Sequence, residues 1–359
     1  VILYLSIGPL FAIPRTATVS FTTGITPFIS SDQTQLGLFI YTLIFFALVL
    51  LFALRPSKIM TWIGKYINSI FLVLLFCLLV LAFIKPIGAF TSVQPVNSYV
   101  SQPFFTGLLE GYNTMDALAS LAFAIVLINA IKEFKIKDAK EIAKITLKSG
   151  IIAVLLMAII YFGLTILGAQ SVLLQGTSEN GGVALAILAK HYYGSIGNVL
   201  LAGIMIFACL KTAIGLVTSC AETFVEVFPK SLSYRVYAIG FTLISFLLSN
   251  FGLDRILKYS LPALLLLYPI TIVFILLLLV GSFVGENKII YQSTIIATII
   301  AAFIDTFSKP SYTFMHSAFT DGLVNLYQKS PMYEIGFAWV IFSVIGLLIG
   351  FILSKTIKK

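Results

Sequence analysis

Long apolar stretches separated by short polar loops fill almost the whole chain. A run of about 20 apolar residues is long enough to cross a bilayer as a helix. The sequence therefore predicts ten spans, which lie at residues 1–24, 34–54, 59–84, 104–131, 142–168, 196–224, 233–250, 257–282, 288–308 and 335–354. Two connections stand out, because 132–148 carries charges at helical spacing and 170–193 contains an apolar turn, Val183–Leu188, typical of a half-embedded helix. The pattern predicts an all-α membrane protein with a single transmembrane domain over residues 1–359.

The composition supports this fold class. Hydrophobic residues make up 59% of the chain and charged residues 10%, whereas about 25% of residues are charged in an ordinary soluble domain. The net charge of +9 would favour nucleic acid in another setting. Here the basic residues lie in short loops between spans, so we expect a lipid bilayer and no nucleic acid as the partner. The sequence has no zinc motif, no paired intramembrane aspartates and no Ser/His pair in adjacent spans, so we expect neither an enzyme nor a cofactor.

The lysine and arginine residues indicate an orientation. With the C-terminus inside, 15 of the 23 basic residues lie in the inner loops and six in the outer loops, while Arg15 and Lys211 lie within spans. Because inner loops carry the excess of basic residues, this bias predicts a cytoplasmic C-terminus. The chain begins at Val1 inside an apolar stretch, and we expect that earlier spans are missing from this sequence.

One polar segment, Gly111–Ser120, lies in the middle of an apolar span. A carboxylate at that depth costs roughly 2.5–3.5 kcal/mol and persists mainly where it faces a cavity or a partner. Exposed amides at a helix break favour a bound carboxylate, whereas Asp116 favours a cation or a substrate amine. A polar contact between helices is the alternative. We predict a substrate-binding segment, called the 111–117 segment below, which consists of Gly111, Tyr112, Asn113, Thr114, Met115, Asp116 and Ala117.

A second polar group lies on the span 196–224. Gly215, Thr218 and Ser219 have the spacing i, i+3, i+4 and share one helix face. This oxygen triad offers one carbonyl and two hydroxyl oxygens, the hard ligands that a small cation such as Na⁺ requires. Hydroxyls that pack and bond back to their own helix are the alternative, which is favoured when the group is taken alone. Lys211 could replace a bound cation, pair with Asp116, carry a proton or snorkel to the surface.

Two prolines and an arginine interrupt the first span. Pro9 and Pro14 each remove a backbone donor and are expected to bend the helix and free carbonyls. Arg15 then requires those carbonyls, an acid or water as partners, which favours a cavity or gating role. Glu110, six residues before Asp116, is a further candidate for coupling or gating.

The sequence resembles the bacterial branched-chain amino acid:cation symporters, the LIVCS family. The matching stretches are IGPLFAIPRTATVSF at Ile7–Phe21, EGYNTMDALASLAF at Glu110–Phe123 and CLKTAIGLVTSCAE at Cys209–Glu222. The resemblance implies about twelve helices, of which the first two are missing here. It also implies a leucine-transporter-type fold, in which two inverted five-helix repeats surround a midplane site.

The resemblance also assigns roles to the two polar groups. It implies that Gly111–Ser120 is the unwound centre of a helix and that the oxygen triad binds Na⁺. Two positions depart from the family, because Thr22 stands where an acidic residue is usual and Lys211 where a small hydroxyl residue is expected. The implied function is import of leucine, isoleucine and valine with Na⁺ across the bacterial inner membrane. A proton-coupled transporter or exchanger of the same fold, with Lys211 as its coupling group, is the alternative.

Overall fold

A computed structural model describes residues 1–54, 66, 68–89, 92–112, 114–133, 138–178, 181–284, 287–308 and 318–357. These described residues form helices and turns, with no strand among them. Their α-helices, numbered in chain order, are α1 (Ile2–Leu5), α2 (Ala12–Gly24), α3 (Thr34–Ala53), α4 (Asn68–Ile84), α5 (Pro103–Tyr112), α6 (Asp116–Glu133), α7 (Ala139–Gln175), α8 (Gly181–Tyr193), α9 (Ser195–Val227), α10 (Tyr234–Ser249), α11 (Leu253–Val284), α12 (Lys288–Phe307), α13 (Ala318–Gln328) and α14 (Ala338–Ile357).

Each of the ten predicted spans overlaps a helix or a broken helix of the described residues, and residues 59–65 and 67 of the third span lie outside the described residues. Seven are long and apolar enough to cross a membrane on their own: the stretch Ile2–Phe28 and helices in α3, α7, α9, α11, α12 and α14. The end of α10 and the start of α11 meet at 111° and would form an eighth span as a bent pair. The described part of α4 starts only at Asn68, α5 and α6 are interrupted, and α10 has 16 residues. The predicted all-α membrane fold is confirmed.

Two helices lie between the predicted spans. α8 contains the predicted half-embedded turn Val183–Leu188 and extends beyond it at both ends. α13 has 11 residues and carries Asp321 in its first turn. It is absent from the sequence prediction because it is too short and too polar to match a span.

The first span is broken where Pro9 predicts a bend. A π-helical turn, Ser6–Leu10, links α1 to α2, and Gly8 within it has a non-helical backbone (φ −81, ψ −121). The predicted bend at Pro14 is wrong. Pro14 lies in the first turn of α2, where a proline removes no hydrogen bond within the helix.

Carbonyl groups around this break bond to side chains of other helices. The Cys220 thiol of α9 donates to the Tyr4 carbonyl at 3.3 Å. The Ser245 hydroxyl of α10 donates to the Pro9 carbonyl, also at 3.3 Å. The break is therefore held by neighbouring helices, as an interrupted membrane helix requires.

The chain forms two compact units. The first comprises Val1–Gln94 and Ala122–Leu257, and the second comprises Pro95–Leu121 and Lys258–Lys359. α6 and α11 each contribute residues to both units. Within the first unit, α9 packs against α2, α3, α4, α8 and α10, so it positions the polar residues it carries against several neighbours.

Small residues let helices of the first unit approach closely. A Cβ on Gly24 would lie 3.2 Å from the Ala202 Cα, so α2 and α9 meet almost backbone to backbone. Polar pairs add to this contact, since the Tyr41 hydroxyl of α3 donates to the Ser20 hydroxyl of α2 at 2.8 Å. Both features are typical of helix association in membranes, where small residues allow contact and hydroxyls bond across helices.

The second unit has its closest helix contact between α12 and α14. Gly346 and Gly350 form a GxxxG motif on α14. A Cβ on Gly346 would lie 2.6 Å from the Ala297 Cβ and 2.8 Å from the Ser293 carbonyl oxygen of α12. This spacing leaves no room for a side chain, so the motif fixes how the two helices pack.

Candidate substrate and cation sites

The predicted substrate segment lies at a break between α5 and α6. α5 ends at Tyr112 and α6 begins at Asp116, so the unwound part is narrower than the predicted Gly111–Ser120. Met115 has a positive φ of 64°, which is uncommon outside glycine and is often found at functional sites. Asn113 lies outside the described residues. The predicted interruption is thus present, with Ala117 inside the first turn of α6.

Polar groups at this break bond to one another. The Thr114 hydroxyl is 2.8 Å from Asp116 Oδ2 and 2.7 Å from the Gly111 carbonyl oxygen. A hydroxyl has one proton, so these two acceptors share it. The first hydrogen bond of α6 runs from Ala119 N to the Met115 carbonyl at 2.8 Å. The amides before Ala119 form the N-terminal end of α6, which carries positive partial charge.

An aromatic cluster lies beside the break. The Tyr112 ring stacks on Tyr268 of α11 with 4.8 Å between centroids, and Phe337 meets Tyr112 edge-on at 5.9 Å. Tyr268 is buried, and all three rings belong to the second unit. Sequence reasoning missed Tyr268 and Phe337 because nothing local links them to Tyr112. The cluster gives this polar segment an apolar wall.

The oxygen triad lies where α9 packs on α6 within the first unit. A Cβ on Gly215 would lie 2.6 Å from Phe123 Cε1, so a larger residue here would displace this ring. The Ser219 hydroxyl donates to the Ala122 carbonyl of α6 and is fully buried. Sequence reasoning missed Ala122, since a backbone carbonyl within an apolar helix gives no signal. Gly215 and Ser219 therefore lie on the face of α9 that contacts α6.

The Thr218 hydroxyl has a different environment. Thr218 is 6% exposed, and its Oγ1 has no hydrogen-bond partner among the described residues. The Tyr234 hydroxyl lies nearby but donates to the Ala53 carbonyl at 2.7 Å. A buried hydroxyl without a partner is costly, so its oxygen lone pairs remain for a ligand. No three His, Cys, Asp or Glu side chains of the described residues group as a metal site.

Lys211 contacts α4 in the structure. Its Nζ donates to Asn68 Oδ1 at 2.8 Å and lies 4.3 Å from the Phe71 ring centroid. The lysine is half-buried. These contacts hold the ammonium group with neutral partners from α4. The roles predicted for Lys211 stay predictions.

Arg15 and Glu110 have contrasting surroundings. Arg15 is half-buried and lines a cavity of about 400 Å³, called the Arg15 cavity below. Its Nη1 is buried without a hydrogen-bond partner among the described residues, so the carbonyls and acids expected as partners do not reach this nitrogen. Glu110 is exposed on α5. The predicted cavity at Arg15 is present, while Glu110 lies at the surface of its unit.

A second cavity, of about 710 Å³, lies at the C-terminal end of α9. Glu222, Thr223 and Glu226 line it together with Tyr4 and Tyr234. Glu222 follows Thr218 by one helical turn. The cavity therefore places two carboxyl groups shortly beyond the oxygen triad on the same helix, an arrangement that suits passage of a cation.

Broken helices with polar centres, set among long apolar helices, define a multi-pass α-helical membrane protein of the transporter class. The chain matches the profile of the branched-chain amino acid transport protein family over residues 1–357. It belongs to this family, whose members are transporters and not enzymes.

Curated relatives agree with this assignment. The chain is 45% identical over 341 residues to the branched-chain amino acid permease BrnQ of Lactobacillus delbrueckii subsp. lactis, an alignment that covers 95% of this chain and 76% of the permease. It is 39% identical to BrnQ of Bacillus subtilis strain 168, with 98% and 78% covered, and 37% identical to BraB of the same strain, with 99% and 78% covered.

Two predictions about the fold gain no support from these matches. They do not bear out the prediction that two helices are missing before Val1. No solved structure matches the chain, so the two inverted repeats stay a prediction.

Proposed function

We propose that the chain imports leucine, isoleucine or valine by symport with Na⁺ across the bacterial cell membrane, with its C-terminus in the cytoplasm. The observation that carries the proposal is the break between α5 and α6 in a chain of this transporter family. At this break, Asp116 and the N-terminal end of α6 lie in one short segment, and an aromatic wall lies beside it. An amino acid with a branched aliphatic side chain needs these three kinds of partner.

Each part of the substrate has a partner at this break. The positive end of α6 favours the substrate carboxylate, and Asp116 favours its ammonium group. The side chain packs on Met115 and on the cluster of Tyr112, Tyr268 and Phe337. Such an apolar wall discriminates weakly among leucine, isoleucine and valine, because one methylene changes the binding free energy by only about 1–3 kcal/mol in an apolar pocket.

The oxygen triad is the proposed Na⁺ site. Three features support it: buried hydroxyl oxygens, a Thr218 oxygen without a partner among the described residues, and the Ala122 carbonyl beside Ser219. Carbonyl and hydroxyl oxygens are the ligands that hard cations prefer. Na⁺ binding favours the outward-open state in this mechanism, and coupling follows from its different affinity for the two states.

Proton coupling is the second candidate. It is supported by the cavity that Glu222 and Glu226 line one to two turns beyond Thr218, because carboxyl groups facing a membrane cavity form proton relays. Lys211, held by neutral partners, is the other candidate proton carrier. Uptake in the absence of Na⁺ separates this candidate from Na⁺ symport.

Competition for uptake tests the substrate assignment. Purified protein in proteoliposomes takes up labelled isoleucine, and unlabelled leucine and valine are expected to inhibit this uptake strongly. Alanine and lysine are expected to inhibit weakly, since alanine fills little of the apolar wall and lysine adds a charge to it. If alanine or lysine competes better than leucine, the substrate assignment is wrong.

A further inference from the structure

The Arg15 cavity is not used by the proposed transport mechanism. It lies within the first unit, between α2, the second half of α7, α8, α9 and the start of α11. Its volume of about 400 Å³ is in the range of small-molecule sites. Its lining includes Arg15, Val19, Leu164, Gly168, Leu185 and Leu257.

Arg15 brings a positive charge to this cavity. Arg15 Nη1 is buried without a hydrogen-bond partner among the described residues. No acidic residue is among the described residues that line the cavity. Arg15 is half-buried, and leaving its buried Nη1 donor without a partner costs free energy, so the cavity favours a ligand that brings one anionic group. α8 begins at Gly181 on the cavity wall, and its positive end adds to this preference.

The other residues that line the cavity indicate which kind of ligand side chain fits. Val19, Leu164, Leu185 and Leu257 are aliphatic, so they favour an aliphatic group over a polar one. Arg15 presents a planar fork of donors that suits a carboxylate. Because the described lining offers no carboxylate of its own, an ammonium group on the ligand gains no charged partner there. The chemistry that fits is a branched aliphatic monocarboxylate.

We propose that the Arg15 cavity is a second ligand site that binds the carboxylate and the aliphatic body of a branched-chain substrate. This inference rests on the proposed function for the identity of the substrate. α8 lies in the predicted outer loop, so the site is expected to hold the substrate on the outer side of the membrane. The second site recognises one end of the amino acid, whereas the first recognises both ends.

Two analogues that each lack one charged end of leucine separate the sites. 4-Methylpentanoate keeps the carboxylate and lacks the amine, and 3-methylbutylamine keeps the amine and lacks the carboxylate. Binding of both labelled analogues to purified full-length protein is measured at constant Na⁺. 4-Methylpentanoate is expected to bind with a stoichiometry of one per chain, and 3-methylbutylamine to show no binding at the same concentrations.

Two variants remove different properties of the cavity. Arg15→Gln removes the charge, and is expected to weaken 4-methylpentanoate binding by about tenfold or more, as loss of a charge-assisted hydrogen bond does. Gly168→Leu fills the space, because a Cβ at Gly168 meets no atom within 4 Å, and is expected to weaken binding similarly with Arg15 intact. Lys190→Gln is the matched control, since it removes an exposed positive charge from α8 outside the cavity lining.

The outcomes distinguish this inference from the proposed function. Equal binding of 4-methylpentanoate by wild type, Arg15→Gln and Gly168→Leu overturns the second site. So does 3-methylbutylamine binding that Gly168→Leu abolishes. Failure of wild-type proteoliposomes to take up isoleucine overturns the proposed function, while 4-methylpentanoate binding still measures the cavity directly. If Arg15→Gln fails to fold, Gly168→Leu decides, because it leaves every charge in place.

Discussion

At the scale of single residues, Thr218 and Asp116 differ in what their side chains already bind. Asp116 accepts a hydrogen bond from Thr114 at 2.8 Å, so part of its capacity is used within the segment. The Thr218 hydroxyl is buried and has no hydrogen-bond partner among the described residues. A group that is buried without a partner costs folding free energy. The presence of this hydroxyl is explained if a ligand binds its oxygen, which is the role proposed for Na⁺.

Replacing Thr218 tests that role with two measurements, thermal stability and the Na⁺ dependence of uptake. Thr218→Val keeps the shape and removes the hydroxyl, so thermal stability without Na⁺ is expected to be unchanged or higher. The Na⁺ concentration for half-maximal uptake is expected to rise about tenfold, which corresponds to ~1.4 kcal/mol. Thr212→Val is the control, because the Thr212 hydroxyl bonds back to the Ala208 carbonyl at 2.9 Å. A Thr218→Val protein with wild-type Na⁺ dependence contradicts the cation site.

Replacing Asp116 tests the substrate site. Asp116→Asn keeps an acceptor for Thr114 and removes the charge, so isoleucine uptake is expected to fall by about tenfold or more, as loss of a charged hydrogen bond predicts. Asp32→Asn is the control, since Asp32 is an exposed acid in a short connecting helix. Binding of isoleucine to purified protein separates lost affinity from lost folding. Wild-type affinity in Asp116→Asn shows that this carboxylate does not hold the substrate amine.

At the scale of elements, proline and glycine set where helices break and where they touch. Pro9 interrupts the first span beside Gly8, whereas Pro14 lies harmlessly in a first turn. Gly215 lets α9 approach the Phe123 ring of α6. The same residue type therefore has different effects, which depend on its position in the helix and on its neighbour.

The GxxxG motif of α14 gives the clearest prediction at this scale. Gly346→Leu places a side chain against the backbone of α12, and overpacking of this kind costs about 1–3 kcal/mol. We expect a lower thermal midpoint of the purified protein. Gly150→Leu on α7 is the control, because a Cβ at Gly150 meets no atom within 4 Å. Equal stability of the two variants contradicts close packing of α12 on α14.

At the scale of the whole molecule, the hydrophobic pattern predicts every span that the described residues contain, because membrane helices need long apolar runs. The break at 111–117 is also predictable, since a glycine and a carboxylate within such a run disfavour a continuous helix packed against lipid. The partners of the two polar groups are not predictable in this way. Ala122 reaches the oxygen triad, and Tyr268 reaches the 111–117 segment, only through helix packing, and their own surroundings in the sequence are plainly apolar.

Coupling of isoleucine uptake to Na⁺ tests the central claim most directly. Purified protein in proteoliposomes is given an inward Na⁺ gradient at equal pH on both sides, with an equal K⁺ gradient as the control, and accumulation of labelled isoleucine is followed. The proposed mechanism predicts accumulation above equilibrium with Na⁺ and only equilibration with K⁺. Accumulation that is independent of Na⁺ and driven by an inward proton gradient contradicts it.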